Sequence, residues 1–213
     1  KSVYLMPGMA ANSRIFEFLK FPENFQVFYL SWFPPEKGES IQNYAKRMCR
    51  RIKHPKPILI GVSFGGILVQ EMAGFLDYEK VIIVSSIKSN KELPTHMKLA
   101  KITNAHKLLP TQWIKNIESL AFFALGNDLK KRFELYHRYL SERDPVYLSW
   151  AIDTIVNWKR IEPNKDIIHI HGKSDTVFPI KNIFSPHIKI AGDHAIILTH
   201  HNWFNENLPK IIQ

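Results

Sequence analysis

The residues with the most direct chemical reading are Gly61-Val62-Ser63-Phe64-Gly65-Gly66. They form a G-x-S-x-G pattern after the apolar run 57–60 and before a stretch in which Ile67, Leu68, Met72 and Phe75 recur at helical spacing. A serine on so tight a strand-to-helix turn is forced into a strained backbone, and only small neighbours let the two segments approach. Its hydroxyl then projects above the sheet edge. The same turn aims the Phe64 N–H at the space beside that hydroxyl, where the helix dipole favours developing negative charge. The other reading of the pattern is a glycine-rich turn in which Ser63 caps the following helix.

An alkyl hydroxyl is a poor nucleophile at neutral pH, so the site needs a base and a group that orients the base. Residues 169–179, His-Ile-His-Gly-Lys-Ser-Asp-Thr-Val-Phe-Pro, carry a strand into a loop holding Asp175. Residues 187–190 form a further strand leading into Ala191-Gly192-Asp193-His194-Ala195-Ile196, which places the His194 imidazole in a loop before the last helix. Asp193 is expected to point away from the site, and Asp166, ahead of its strand, to end a loop. A rival chemistry starts from His169 and His171, which share a strand face and could bind a metal with Asp175 or His194. The acidic residue and second histidine that a metallohydrolase H-x-H motif would supply downstream are missing. The simpler expectation is that His169 packs in the strand, that His171 supports the loop before Gly172, and that no metal is held. Cys49 reads as a small buried side chain.

Six apolar, β-branched runs can position these groups: 3–6, 26–30, 57–62, 80–85, 167–171 and 187–190. They alternate with helical patterns, the signature of a doubly wound, mainly parallel α/β sheet buried on both faces. Ser40 caps a helix with Ile41, Tyr44, Met48 and Ile52 on one face. The C-terminal helix carries Trp203, Phe204, Leu208 and Ile211. After the fourth strand the alternation stops for roughly 75 residues with helix-like aromatic patterning, Trp113, Phe122, Phe123, Phe133, Tyr136, Tyr139, Trp150 and Trp158. The expected division is a core of residues 1–86 and 161–213 and a helical cap of residues 87–160.

With a serine elbow, an acid after one strand and a histidine after the next, the chain resembles the α/β-hydrolase fold family, and a small lidded esterase in particular. The likeness spans the chain apart from the insertion. It implies a serine hydrolase whose nucleophile, acid and base follow in chain order. That order leaves His187, His194, His200 and His201 as bases, and loop placement favours His194. Leu5-Met6-Pro7-Gly8-Met9-Ala10-Ala11-Asn12 is similar to the family's oxyanion loop. The resemblance therefore implies that the Met9 N–H joins that of Phe64 in holding an oxyanion. Many members have His-Gly where this chain has Pro7-Gly8, a change a backbone donor tolerates. The antiparallel strands that often precede this loop are missing, as in a minimal or trimmed member. The implied substrate is a small-molecule carboxylic ester or thioester, and no cofactor is needed. The alternative is a weakly catalytic ligand-binding protein on the same fold.

Composition bounds these readings. Of the 213 residues, 45% are hydrophobic and 23% charged, enough apolar surface to exclude disorder for most of the chain. One cysteine excludes an internal disulfide, and a reducing, cytoplasmic setting is the expectation. No apolar run approaches a membrane span; the greasiest is 120–125. The chain passes from Lys1 straight into the first strand, leaving no room within it for a signal peptide. The net charge is +10, with 13 basic and 7 acidic residues between Lys88 and Arg160. The only tight basic cluster is Lys130-Lys131-Arg132, which reads as a solvated face rather than a nucleic-acid site. A basic cap would also tolerate an acidic acyl donor or a phosphate-bearing thioester such as an acyl-CoA. Oligomeric state is not legible.

Overall fold

A computed structural model of the chain describes residues 1–103 and 137–213. The aromatic residues Trp113, Phe122, Phe123, Phe133 and Tyr136, the apolar run 120–125 and the basic cluster 130–132 lie outside the described residues.

Alternating apolar residues build one parallel sheet from β1 (Ser2–Met6), β2 (Gln26–Tyr29), β3 (Ile58–Val62), β4 (Lys80–Val84), β5 (Ile168–Gly172) and β6 (Ile188–Ile190). The strand order is β2-β1-β3-β4-β5-β6, and every neighbouring pair is parallel. Each expected strand is present within two residues of its expected ends. Alternation sorts the side chains between two cores. Val3, Leu5, Ile58, Ile60, Ile82 and Val84 pack one way, with Ile15, Phe16, Phe204 and Leu208. Tyr4, Met6, Leu59, Val81 and Ile83 pack the other way, with Tyr44, Met48, Ile67, Leu68 and Trp158. Each fully buried aliphatic side chain contributes roughly 1.5–3 kcal/mol, and covering both faces explains why the strands read as near-continuous apolar runs.

Helices given in full among the described residues are α1 (Ile41–Cys49), α2 (Phe64–Met72), α3 (Thr95–Thr103), α4 (Pro145–Asn157), α5 (Ile196–Thr199) and α6 (His201–Ile212). The Ser40 hydroxyl caps α1 by accepting the Asn43 N–H at 3.2 Å. Three details differ from the sequence reading. Helix α1 ends at Cys49, so Ile52 lies beyond it. Helix α2 is not amphipathic: every residue from Phe64 to Met72 is buried, and Phe75 lies past its end, largely exposed. The physical reason is that α2 packs against β1, β3 and β4 on one side and against α1 and α4 on the other. Cys49 is half-buried rather than buried, and burial pushes its thiol up to about 11.

Because β4 and β5 are neighbours, residues between them leave the sheet and return to it. The two ends of this excursion meet. The Asn90 N–H donates to the Arg160 carbonyl at 2.8 Å, and Arg160 and the Trp158 indole both bond the Glu71 carboxylate on α2 at 3.0 Å. Trp150 and Trp158 join the core on this side. Among the described residues, no helix is long and apolar enough to cross a membrane.

Candidate active site

The order of the sheet reverses at β1, whose neighbours are β2 and β3, and the carboxyl ends of β1 and β3 flank the crevice where open parallel sheets place ligands. Ser63 stands there, immediately after β3. Its backbone has φ 52° and ψ −120°, a left-handed conformation costing on the order of 1–3 kcal/mol. Neighbours hold it in place: its N–H donates to the Val84 carbonyl at 2.9 Å, and its carbonyl accepts the Ser86 hydroxyl at 2.7 Å. The flanking glycines are obligatory. A Cβ at Gly61 would lie 2.3 Å from the Gly65 carbonyl oxygen, and one at Gly65 would lie 2.3 Å from the Pro7 carbonyl oxygen. The Ser63 side chain makes no capping hydrogen bond to α2, so the helix-cap reading does not hold.

The hydroxyl faces His194 instead. Ser63 Oγ lies 2.9 Å from His194 Nε2, and His194 Nδ1 lies 2.8 Å from Asp175 Oδ2. A carboxylate only accepts, so Nδ1 carries the proton and Nε2 presents a lone pair to the serine O–H. Asp175 is fixed from its other oxygen, where Oδ1 accepts the Val177 and Phe178 N–H groups at 2.8 and 2.9 Å. Burial by itself would raise this carboxyl, but electrostatic attraction and the hydrogen bond from His194, with help from His171, hold it below the usual value. Three expected residues, 112 and 19 positions apart in sequence, thus meet in one hydrogen-bonded row.

The competing residues are occupied elsewhere. Asp193 turns back to accept the Ala195 N–H at 2.9 Å. His187 donates from Nδ1 to the Ser185 carbonyl, His200 bonds the Thr199 hydroxyl, and the His201 ring lies against Phe18. His169 and His171 do share a strand face, but they bond one another, Nε2 to Nδ1, at 2.9 Å. The His171 Nε2 also lies 2.8 Å from the Phe178 carbonyl, an acceptor, so it carries a proton and its Nδ1 accepts from His169. Burial pushes the His171 imidazole down and that of His169 well down, keeping both neutral. Among the described residues, no cluster of three or more His, Cys, Asp or Glu side chains is arranged to hold a metal ion.

The loop after β1 closes the opposite side. Gly8 lies against Ser63: a Cβ there would sit 3.3 Å from the serine Cβ. Met9 is half-buried beside it in the same cavity wall as Ser63 and His194. Sequence reasoning passed over what fixes this loop. The Trp32 indole N–H and the Ala11 N–H both donate to the Gly8 carbonyl, the Ala10 N–H donates to the Tyr147 hydroxyl, and the Glu142 N–H donates to the Ala10 carbonyl. The loop's return to its own start, Ala11 to Gly8, was the one signal available locally.

Above the row of three lies a cavity of about 530 Å³. Its walls are largely apolar, with Ile15, Met97, Leu140, Val177, Ile197 and Leu198 among the lining residues. Tyr139, expected as a cap aromatic, is one wall and hydrogen-bonds Glu17. Among the described residues, no lysine or arginine lines the cavity.

No protein-family model matches the sequence, and comparison with curated protein sequences finds no match. Solved structures do match in shape. A hydrolase from Oleispira antarctica superposes with a TM-score of 0.71 at 14% identity, over 100% of this chain and 91% of that one. An esterase from Exiguobacterium antarcticum gives 0.70 at 16% identity, over 100% and 91%. A bromoperoxidase from Bacillus anthracis gives 0.64 at 20% identity, over 100% and 91%.

Proposed function

We propose, on the premise that this chain has the α/β-hydrolase fold of those structures, that it is a serine hydrolase cleaving a carboxylic ester or thioester through an acyl-enzyme. The observation that supports this reading is the unbroken row from Ser63 Oγ through His194 to Asp175, with contacts of 2.9 and 2.8 Å. Ser63 Oγ bonds to the substrate carbonyl carbon as its proton passes to His194 Nε2. The carbonyl electrons move onto oxygen, and the Met9 and Phe64 N–H groups hold that oxyanion. Collapse expels the alkoxide or thiolate, which takes the proton from His194. Water then repeats the sequence on the acyl-enzyme, releasing the acid and restoring the serine. Asp175 keeps the imidazole in the required tautomer and stabilises the imidazolium. No cofactor enters these steps. The division into a core of residues 1–86 and 161–213 and a cap of residues 87–160 belongs to the same proposal, the cap end at Tyr139 and Leu140 serving as one wall of the acyl cavity.

The test is a panel of p-nitrophenyl esters and acyl thioesters of rising chain length, run on wild type and Ser63→Ala. Wild type is expected to turn over neutral acyl groups, with kcat/KM rising up to about fourfold per added methylene until the cavity is filled. Ser63→Ala is expected to be inactive throughout. A folded wild type that turns over none of the panel contradicts the reading and favours a ligand-binding protein.

A further inference from the structure

We infer that Trp32 is a positioning residue for the oxyanion site: its indole N–H holds the Gly8 carbonyl and thereby aims the Met9 N–H at the space beside Ser63. The inference rests on the function proposed above and adds to it a residue outside the nucleophile, base, acid and oxyanion donors.

The argument begins with covalent geometry. A peptide group is planar, and in its trans form the carbonyl oxygen and the following N–H point in opposite directions. The described chain contains no cis peptide bond, so the Gly8 carbonyl and the Met9 N–H are opposite ends of one rigid plate. Fixing the carbonyl fixes the N–H. The carbonyl is held twice, by Trp32 Nε1 at 2.8 Å and by the Ala11 N–H at 3.1 Å. Trp32 lies on the side of the loop facing the buried core, and Ser63 packs against Gly8 in the cavity wall. The N–H end of the plate is thereby turned toward the serine. A hydrogen bond to a peptide carbonyl also polarises the plate, which makes its N–H a better donor.

Trp32 reaches the second donor as well. Its ring stacks on the Phe64 ring with centroids 4.9 Å apart and planes within 8°, and Tyr147, whose hydroxyl holds the Ala10 N–H, packs 5.2 Å away. The sheet register explains how Trp32 arrives there. β1 and β2 pair with Leu5 opposite Tyr29, and Gly8 and Trp32 lie three residues farther along each chain at the same 24-residue offset. One side chain, 7% exposed, therefore bonds the peptide group that carries the Met9 N–H and stacks on the ring of Phe64, the residue of the second donor.

A tryptophan at this depth would serve a packing role with its ring alone, whereas the positioning role requires its N–H. The experiment separates the two by comparing wild type, Trp32→Phe and a chain with 3-benzothienylalanine at position 32, which keeps the bicyclic shape and replaces N–H by sulfur. Each is assayed for kcat and KM on one p-nitrophenyl ester and for affinity to a boronic acid that forms a tetrahedral serine adduct. Loss of a direct oxyanion donor costs about 10²–10³ in kcat, so loss of its aim is expected to cost about tenfold or more. KM should stay within about twofold, and boronate affinity should fall by the same factor as kcat. An isosteric chain with kcat within about twofold of wild type overturns the inference. So does a loss that appears mainly in KM, or failure of both altered chains to fold, which would assign Trp32 to the fold alone. Ser63→Ala runs in parallel. If it retains activity, the proposed function falls and this inference with it; if it is inactive while the isosteric chain keeps full kcat, this inference alone falls.

Discussion

Loops approach Ser63 from two opposite sides, and the two sides are built on different physical principles. The loop after β1 is held through its main chain, with remote side chains, Trp32 and Tyr147, bonding the Gly8 carbonyl and the Ala10 N–H. The loops after β5 and β6 are held through ionisable side chains, a row running from His194 through Asp175 to His171 and His169. The one titratable group in the first arrangement, Tyr147, is pushed well above the usual tyrosine value by burial, so this side should be indifferent to acid. The second should be acid-sensitive, and its parts should fail through the wrong proton rather than the wrong shape.

The largest effect that separates the loops is expected from Asp175→Asn. The asparagine oxygen can keep the Val177 and Phe178 N–H bonds, which turns its NH₂ toward His194 and forces the imidazole into the opposite tautomer. The kcat should fall by about 10⁴ with melting temperature little changed. A loss under tenfold would place the site's orientation in shape alone.

Gly65→Ala tests where the first side meets the elbow, because the added methyl would come 2.3 Å from the Pro7 oxygen and 2.6 Å from the Met6 oxygen, both main-chain atoms. Neither can swing away, so destabilisation of about 3 kcal/mol or more is expected in urea unfolding. A variant as stable as wild type would show that the elbow and the β1 loop are not in contact in solution.

The smallest effect sharpens the pH contrast. His169 and His171 are held neutral by burial, so the unfolded chain takes up protons below about pH 6.5 that the folded chain refuses. Stability is free of this penalty above that pH and falls as pH drops below it, by up to about 1.4 kcal/mol per pH unit for each histidine. Urea midpoints between pH 7 and 5 should show the fall, and His169→Gln should make it shallower by one histidine's share. Asp175 adds a lower window: its depressed value gives stability that is present above the ordinary carboxylate value near 3.8 and lost as pH falls below it. An unchanged slope in His169→Gln would remove the buried pair from the account.

How far the sequence could be read follows the same divide. The elbow was legible because its constraint is local: glycines at 61 and 65 are demanded by contacts within and beside one turn. Asp175 and His194 were legible because chain order and strand ends bring them to one edge of the sheet. Trp32 and Tyr147 were not, because a hydrogen bond between a core aromatic and a main-chain group of a loop leaves no periodic trace and looks like ordinary packing. The partnership of His169 with His171 showed only as a shared strand face, which metal ligands would share equally. The full burial of α2 was not legible, because Gln70 and Glu71 have side chains that ordinarily face solvent. Glu71 is in fact bonded by Trp158 and Arg160 from 87 and 89 residues away, and Gln70 donates to the Ile87 carbonyl.

The central claim is that His194 activates Ser63, and a fluorophosphonate probe tests it most directly. The account predicts that at neutral pH the probe labels the folded wild type at one site, located by peptide mass spectrometry at Ser63, and that Ser63→Ala and His194→Ala take up no label. A folded wild type that stays unlabelled, or one labelled equally well without His194, would contradict it.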